Sequence, residues 1–424
     1  MTTTSRPLKV AMAGFGTVGR SVARILCEGH HPALRLVAVC TRRPEAGRRD
    51  APWVPPDVFW TGDIDALLAR RADVIVELIG GVEPAHAWIA AALRAGRAVV
   101  TANKQVIAEH GPGLFSLART CGSPLRFEAA VAGAVPVIQG LQEGLAGDRV
   151  TSIAGVVNGT CNFVLGRMAD GGVSLDEAVR EAQARGFAEA DPAADLDGLD
   201  ARAKLSILAA IGFGDHLPPR GIPAASIRGI DAGDAAAAAS FGRVIRQIVW
   251  ADRPAGESGG IAAGVSAALV GRDSWLGRAR GPENVVLVRG ERSGTTVFVG
   301  QGAGGDATAV AVVSDLLALA RQPSVPLPWP AHSAGRLSAG VALPQYVRVS
   351  GAAITGPRTP KRLLEGAGIE LDEVLAHQEG AAARWAALVR PCRRVDLDRA
   401  LEPFLPAGGP GGTFISLPLV DVDA

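Results

Sequence analysis

Two side chains one helical turn apart, Asp200 and Lys204 in the run DLDGLDARAKLSILAAI (195–211), have the types and spacing to hold and move a proton. At i and i+4 they share a helix face, with the carboxylate N-terminal to the amine, a pairing worth only ~0.3–0.5 kcal/mol on a solvated surface. If the pair faces a cleft, the same spacing holds an ammonium beside its counter-ion, able to pass a proton to an oxygen. The residue type at 204 adds weight. Of 43 basic side chains only Lys9, Lys104, Lys204 and Lys361 are lysine; the rest are arginine. A guanidinium stays charged, whereas an ammonium shifts its pKa readily when buried. A coding bias that swaps lysine for arginine wherever the swap is harmless would spare a lysine with that task.

The glycine run Gly14-Phe15-Gly16-Thr17-Val18-Gly19 is G-x-G-x-x-G, placed after an apolar strand and opening a helix. Such glycines allow a tight turn and let a pyrophosphate approach the helix N-terminus. A chance match among 53 glycines is the alternative, and the strand-turn-helix setting favours dinucleotide binding. A site for NAD usually places Asp or Glu about 20 residues on; here the second strand ends Cys40-Thr41-Arg42-Arg43. Arg42 and Arg43 could clamp a 2′-phosphate, which points to NADP, with NAD also open. Lys104 follows the strand VVTAN, at the sheet edge where open α/β folds bind ligands. Glu189, Asp191, Asp195 and Asp197 crowd the loop before Asp200. They repel one another unless a cation such as a substrate ammonium is present, the alternative being a solvated acidic loop. The D-x-D-x-D-G spacing of a calcium loop is absent, as are H-E-x-x-H, G-x-S-x-G and the P-loop pattern.

These residues need a frame. LKVAMAG, LRLVAVC, ADVIVELIG, RAVVTAN and PLRFEAAV read as buried strands, with TVGRSVARILCEG and AHAWIAAALRAG at helical spacing between them. The βαβ alternation predicts an α/β, Rossmann-type doubly wound sheet over residues 1–133. Residues 134–320, which carry the acidic loop and Lys204, read as an α+β domain on a different plan with a mostly antiparallel sheet. Its helix SLDEAVREAQARG opens on a capping box of Ser174 and Glu177 and stops at Gly186. Pro-rich 321–340 reads as a linker, and 341–424 as a small α+β module.

Formal net charge is +1, from 43 basic and 42 acidic side chains, which gives no footprint for nucleic acid or an anionic membrane surface. The five cysteines are scattered without a C-x-x-C pair, arguing against a disulfide framework or a zinc site and for a reducing cytosol. MTTTSRPLKVAMAGFG holds no apolar core of signal-peptide length, and no uncharged run reaches membrane-helix length. The expectation is a cytoplasmic protein acting on a small molecule.

Several segments together resemble homoserine dehydrogenases: GFGTVG (14–19), TANK (101–104), FEAAVAGAVP (127–136), VNGTCNFVL (157–165), GFAEADPAADLDGLDARAKLSILA (186–209) and QGAGGDATAVAVVSDL (301–316). The resemblance implies NAD(P)-dependent interconversion of L-homoserine and L-aspartate 4-semialdehyde in threonine and methionine biosynthesis, by a homodimer or homotetramer. By the same resemblance Lys204 is the general acid, Asp200 fixes and charge-balances it, and Glu189 binds the substrate amino group. Lys104 lies between cofactor and substrate, and Gly302 approaches the nicotinamide. A structural monovalent cation such as sodium is implied at Glu128 and the carbonyls near Val131, Gly133 and Val135.

The chain departs from the family pattern at several points. Cys161 stands for threonine, Phe163 and Phe187 for tyrosine, and Ala132 and Ala134 for glycines beside the cation loop. The tail resembles a degenerate ACT-like domain in which GPRTPKRL replaces the effector turn, implying loss of threonine feedback there. Two other readings stay open: a different bi-domain dehydrogenase of an amino or hydroxy acid, and a catalytically silent nucleotide-sensing homologue. The ADPAADLDGLDARAK motif argues against the first, and retention of Lys104 and Lys204 against the second.

Overall fold

The computed structural model describes residues 6–253, 260–321, 332–334, 337, 342–350, 358–378, 384–402 and 413–420. Most of the expected linker 321–340 lies outside them. The chain forms two compact units: Met1–Ile153 with Ala203–Ile222 and Val286–Gly335, and Ala154–Arg202 with Pro223–Val285 and Arg336–Ala424.

In the first unit, strands β1 (Leu8–Ala13), β2 (Leu34–Cys40), β3 (Phe59–Thr61), β4 (Val74–Glu77), β5 (Ala98–Thr101) and β6 (Leu125–Arg126) form one sheet. The order is β3-β2-β1-β4-β5-β6, all parallel. This is the doubly wound order, with its switch point between β1 and β4. Burial on both faces explains why these strands read as continuous apolar runs. Val10, Met12, Val74 and Val76 share one core with Val22 and Ala23 of helix Thr17–Cys27, and also with Ala309, Val312 and Leu316 of helix Gly305–Arg321. A late segment thus completes the early core.

Two elements differ from the expected pattern. The segment PLRFEAAV stops being a strand after Arg126 and turns through a short 3₁₀ helix, Glu128–Ala130, because the Glu128 carboxylate is buried and must meet backbone donors. Lys104, read from sequence as closing the strand VVTAN, opens a helix, Lys104–Cys121, that contains Pro112. Pro112 lacks the N–H that would bond the Ala108 carbonyl four residues back. His216 Nε2 lies 2.9 Å from that carbonyl and supplies the missing donor. The helix runs through its proline with that carbonyl still partnered.

In the second unit, helix Gly159–Gly171 is followed by Leu175–Ala184, whose capping box of Ser174 and Glu177 is formed as expected. Strand Arg243–Asp252, which the sequence reading did not single out, pairs antiparallel with Ala262–Gly271. The chain then runs strand Leu343–Ser350, helix Arg358–Gly366, strands Leu371–Gln378 and Arg384–Cys392, helix Arg394–Leu401 and strand Thr413–Val420. Leu343–Ser350 lies antiparallel to both Arg384–Cys392 and Thr413–Val420, and Leu371–Gln378 flanks Arg384–Cys392. This βαββαβ layout is a ferredoxin-like split βαβ.

Strand alternation gives these C-terminal strands two faces. Val347, Val349, Trp385, Ala387 and Val389 join Leu364 and Leu397 of the two module helices in one core, while Tyr346, Ala386 and Leu388 belong to another. On the face of Tyr346, the carboxylate of Asp234 is wholly buried. It accepts from Tyr346 Oη at 2.8 Å, Arg348 Nε at 2.8 Å and Arg384 Nη2 at 3.1 Å. Asp234 also closes a capping box with Asp231 at the start of helix Ala232–Ser240. Removing one member of a buried charge cluster leaves the others desolvated and uncompensated, at about 3–5 kcal/mol. Asp234→Ala is therefore expected to lower the unfolding free energy by about that amount, read from urea denaturation, with Tyr346→Phe costing much less.

Candidate active site

Gly14 has φ +107°, and a Cβ there would stand 2.6 Å from the Leu78 carbonyl oxygen. A Cβ on Gly19 would run into the Gly14 carbonyl. Gly16 is different: nothing lies within 4 Å of where its Cβ would be. It caps helix Thr17–Cys27 without a side-chain hydrogen bond, so the first N–H groups of the helix have no side-chain acceptor at the cap. Two glycines close the turn and the third leaves a cradle open at a helix N-terminus, which fits a pyrophosphate. Phe15 packs edge-on against Trp60 at 4.8 Å, Thr17 is exposed and Val18 half-buried. Arg42 and Arg43 stand exposed just past the end of β2.

At the carboxyl ends of β4 and β5 a buried polar chain sets the start of the next helix. Glu77 accepts from Thr101 Oγ1 at 2.6 Å and from Ile79 N at 2.8 Å. Thr101 Oγ1 accepts from Asn103 N at 3.0 Å, and Asn103 Oδ1 caps the helix through Val106 N. Half-buried Lys104 is the first residue of that helix. Neither Glu77 nor Asn103 was singled out from sequence, although a Glu closing the apolar run DVIVE was the available signal.

The acidic loop before Asp200 is sorted by its partners. Asn158 is buried and caps helix Gly159–Gly171 through its Oδ1. Its Nδ2 donates to Asp195 Oδ1 at 2.7 Å and to Asp200 Oδ2 at 3.0 Å. Asp197 is instead taken by Arg228 Nε at 2.9 Å and Ser226 Oγ at 2.7 Å, and the arginine and the hydroxyl hold its carboxyl below the usual range. Asp191 Oδ1 accepts from Ala193 N at 3.0 Å, in the turn that leads into the short helix Ala193–Leu196. Glu189 is exposed, its carbonyl accepting from Gln183 Nε2 at 3.1 Å. Asp200 and Lys204 lie one turn apart on helix Leu199–Phe213, both half-buried. Thus the crowd read from sequence separates: Asp197 is neutralised elsewhere, and Asn158, quoted only within VNGTCNFVL, is the residue that gathers Asp195 and Asp200.

Glu128 is buried with both oxygens occupied, Oε1 accepting from Ile138 N at 2.9 Å and Oε2 from Gln139 N at 2.8 Å. Its own N–H donates to Asp315, and Arg126 lies 3.6 Å from that second carboxylate. Burial raises both carboxyls, Glu128 further because Asp315 is close. Val131, Gly133 and Val135 are buried on the loop that follows. Gly133 adopts φ +60°, and a Cβ there would strike the Gly302 carbonyl at 2.6 Å; Ala134 N donates to Gln301 O at 3.0 Å. The structure therefore brings Gly302 against the loop of Val131, Gly133 and Val135. Asp315, a lone acid in the apolar run VAVVSDLLALA, is a partner that sequence reading did not identify.

A six-stranded doubly wound parallel sheet with this glycine turn at a helix N-terminus defines a dinucleotide-binding protein. Residues 14–128 match the homoserine dehydrogenase NAD-binding domain and residues 136–317 match homoserine dehydrogenase. The chain is 40% identical over 317 residues to homoserine dehydrogenase of Synechocystis sp., covering 73% of this chain and 72% of the relative. Its fold superposes on a homoserine dehydrogenase from Thiobacillus denitrificans with a TM-score of 0.88 at 30% identity, covering 98% of each chain. A hyperthermophilic archaeal homoserine dehydrogenase solved in complex with NADPH matches at TM-score 0.64 and 27% identity, over 76% of this chain and 100% of that one. The chain belongs to the homoserine dehydrogenase family, oxidoreductases acting on a CH–OH group.

Asn158→Ala would leave the inner faces of Asp195 and Asp200 without their shared donor. A lost hydrogen bond to a charged group costs about 1.5–3 kcal/mol, and that is the expected fall in unfolding free energy. Asn158→Asp, which adds a third carboxylate, is expected to cost more. Thermal melts of the two variants compare them.

Proposed function

We propose that this chain interconverts L-homoserine and L-aspartate 4-semialdehyde, prefers NADP to NAD, and uses Lys204 as its general acid. The observation that carries this reading is Asp200, held by the buried Asn158 amide, one turn before Lys204 on the same helix. When bound, the reduced nicotinamide supplies a hydride to the aldehyde carbon. Lys204 Nζ then gives a proton to the oxygen, and in the reverse direction it takes the hydroxyl proton. Asp200 fixes the amine and balances its charge. Glu189 receives the substrate ammonium, and Lys104 assists between cofactor and substrate.

For the cofactor itself, residues Gly14, Phe15, Gly16, Thr17, Val18 and Gly19 take the pyrophosphate, Arg42 and Arg43 the 2′-phosphate, and Gly302 the nicotinamide side. Glu128 with the carbonyls of Val131, Gly133 and Val135 holds a monovalent cation such as sodium. Supporting this is the buried charge around Glu128: burial and then Asp315 raise its carboxyl, and Arg126, 3.6 Å from Asp315, opposes that shift. We read 1–133 as the nucleotide domain, 134–320 as the catalytic and dimerisation domain, 321–340 as a linker and 341–424 as a degenerate ACT-like module, in a cytoplasmic homodimer or homotetramer.

Nicotinamide absorbance with homoserine and either cofactor tests the activity, and no turnover with both would overturn it. Lys204→Arg keeps the charge and removes the transferable proton, so kcat should fall on the order of 10²–10⁴-fold while NADPH binding persists. The double variant Arg42→Ala/Arg43→Ala should raise KM for NADPH and leave KM for NADH unchanged; equal effects on both would refute the 2′-phosphate assignment.

A further inference from the structure

A cavity of about 600 Å³ in the second unit is lined by five arginines, Arg167, Arg246, Arg272, Arg278 and Arg280, of which Arg167 is already paired with Glu181 at 2.7 Å. Two carboxylates, Asp170 and Asp273, share the wall. None of these residues carries a role in the dehydrogenase reading. Five arginines in an arginine-rich chain would mean little if all were solvated on a rim, and three of them, Arg272, Arg278 and Arg280, are exposed. Arg246 is not, with a relative exposure of 7%.

Withdrawing a guanidinium from water costs several kcal/mol unless it is paired. Arg246 donates to backbone carbonyls instead of a carboxylate: Nη1 to Ile245 O at 3.0 Å, and Nη2 to Gly277 O at 3.0 Å and Ala279 O at 3.2 Å. Its buried Nε has no acceptor. Burial, with Arg272 and Arg280 nearby, pulls its pKa down to about 10, Asp170 opposing them. Arg246 thus puts on the cavity lining a buried guanidinium bonded to carbonyls, with an Nε–H still unused.

The wall beside it is built rather than loose. Arg246 pins the carbonyls of Gly277 and Ala279, and Asn162 Nδ2 pins that of Gly281 at 2.9 Å. Ser274 caps the turn through Gly277 N, and Glu283 accepts from Arg280 N at 2.9 Å. Arg278 and Arg280 are thus carried on a backbone held at several points along its length. Asn162, itself buried, keeps its Oδ1 without a donor. Preorganised guanidinium forks suit phosphoryl and carboxylate groups alike, and a cavity of this size admits a metabolite.

We propose that this cavity is a binding site for a compact polyanion bearing several phosphoryl or carboxylate charges, lined by none of the residues named above for cofactor or substrate. Isothermal titration of the full-length chain with inorganic pyrophosphate, and separately with citrate, tests it, with NADPH saturating so that the glycine turn is filled. At least one probe should bind saturably, one per chain. Binding should weaken by at least about tenfold in Arg278→Ala/Arg280→Ala, the scale of one lost charge-assisted hydrogen bond, while NADPH affinity is retained. Tighter pyrophosphate assigns a phosphoryl ligand and tighter citrate a polycarboxylate. If neither probe saturates, or the double variant binds as tightly as the parent, the site does not exist.

Discussion

A carboxylate withdrawn from water must meet N–H or O–H donors or stay protonated, and that requirement decides where the chemistry-bearing residues of this chain stand. Asp200 is oriented because the Asn158 amide reaches it and Asp195 together. Glu128 ends a strand early because two backbone N–H groups have to point at it. Glu77 organises the start of the Lys104 helix through Thr101 and Asn103. Asp234 locks the C-terminal strands to helix Ala232–Ser240 by collecting a phenol and two guanidinium groups. In each case one acid fixes several backbone segments, so placement of charge and placement of chain are the same problem.

Local signals were legible in the sequence. The strand, glycine turn and helix at 8–27 depend on neighbours in the chain and on a steric need for glycine that composition displays directly. The capping box at Ser174 and the i+4 spacing of Asp200 and Lys204 are local in the same sense. What sequence could not show were partners chosen across distance. Asp197 looks like one more acid in a crowded loop until Arg228, thirty-one residues on, is seen to neutralise it. Asp315 and Glu128 meet although 187 residues separate them.

Arginine in this composition hides as much as it reveals. With guanidinium so common, no pattern distinguishes Arg246, buried and bonded to carbonyls, from solvated arginines such as Arg42 or Arg43. Lysine carries the opposite statistics, and rarity made Lys104 and Lys204 conspicuous before any element was assigned. The helix of Lys104 nonetheless escaped sequence reading, because Gly111-Pro112-Gly113 has the look of a breaker. Nothing local indicates that a histidine more than a hundred residues away will repair the gap.

That repair ties two parts of the chain into a single logical unit. A carbonyl only accepts, so His216 must keep its hydrogen on Nε2, and one ring tautomer is selected by a proline it never touches in sequence. An alanine at 112 would let the helix close its own ladder and leave the imidazole redundant. A substitution at 216 would remove the donor that the Ala108 carbonyl now has, at about 1–3 kcal/mol. Drift at either position is therefore conditional on the other, and the pair should be inherited together or lost together.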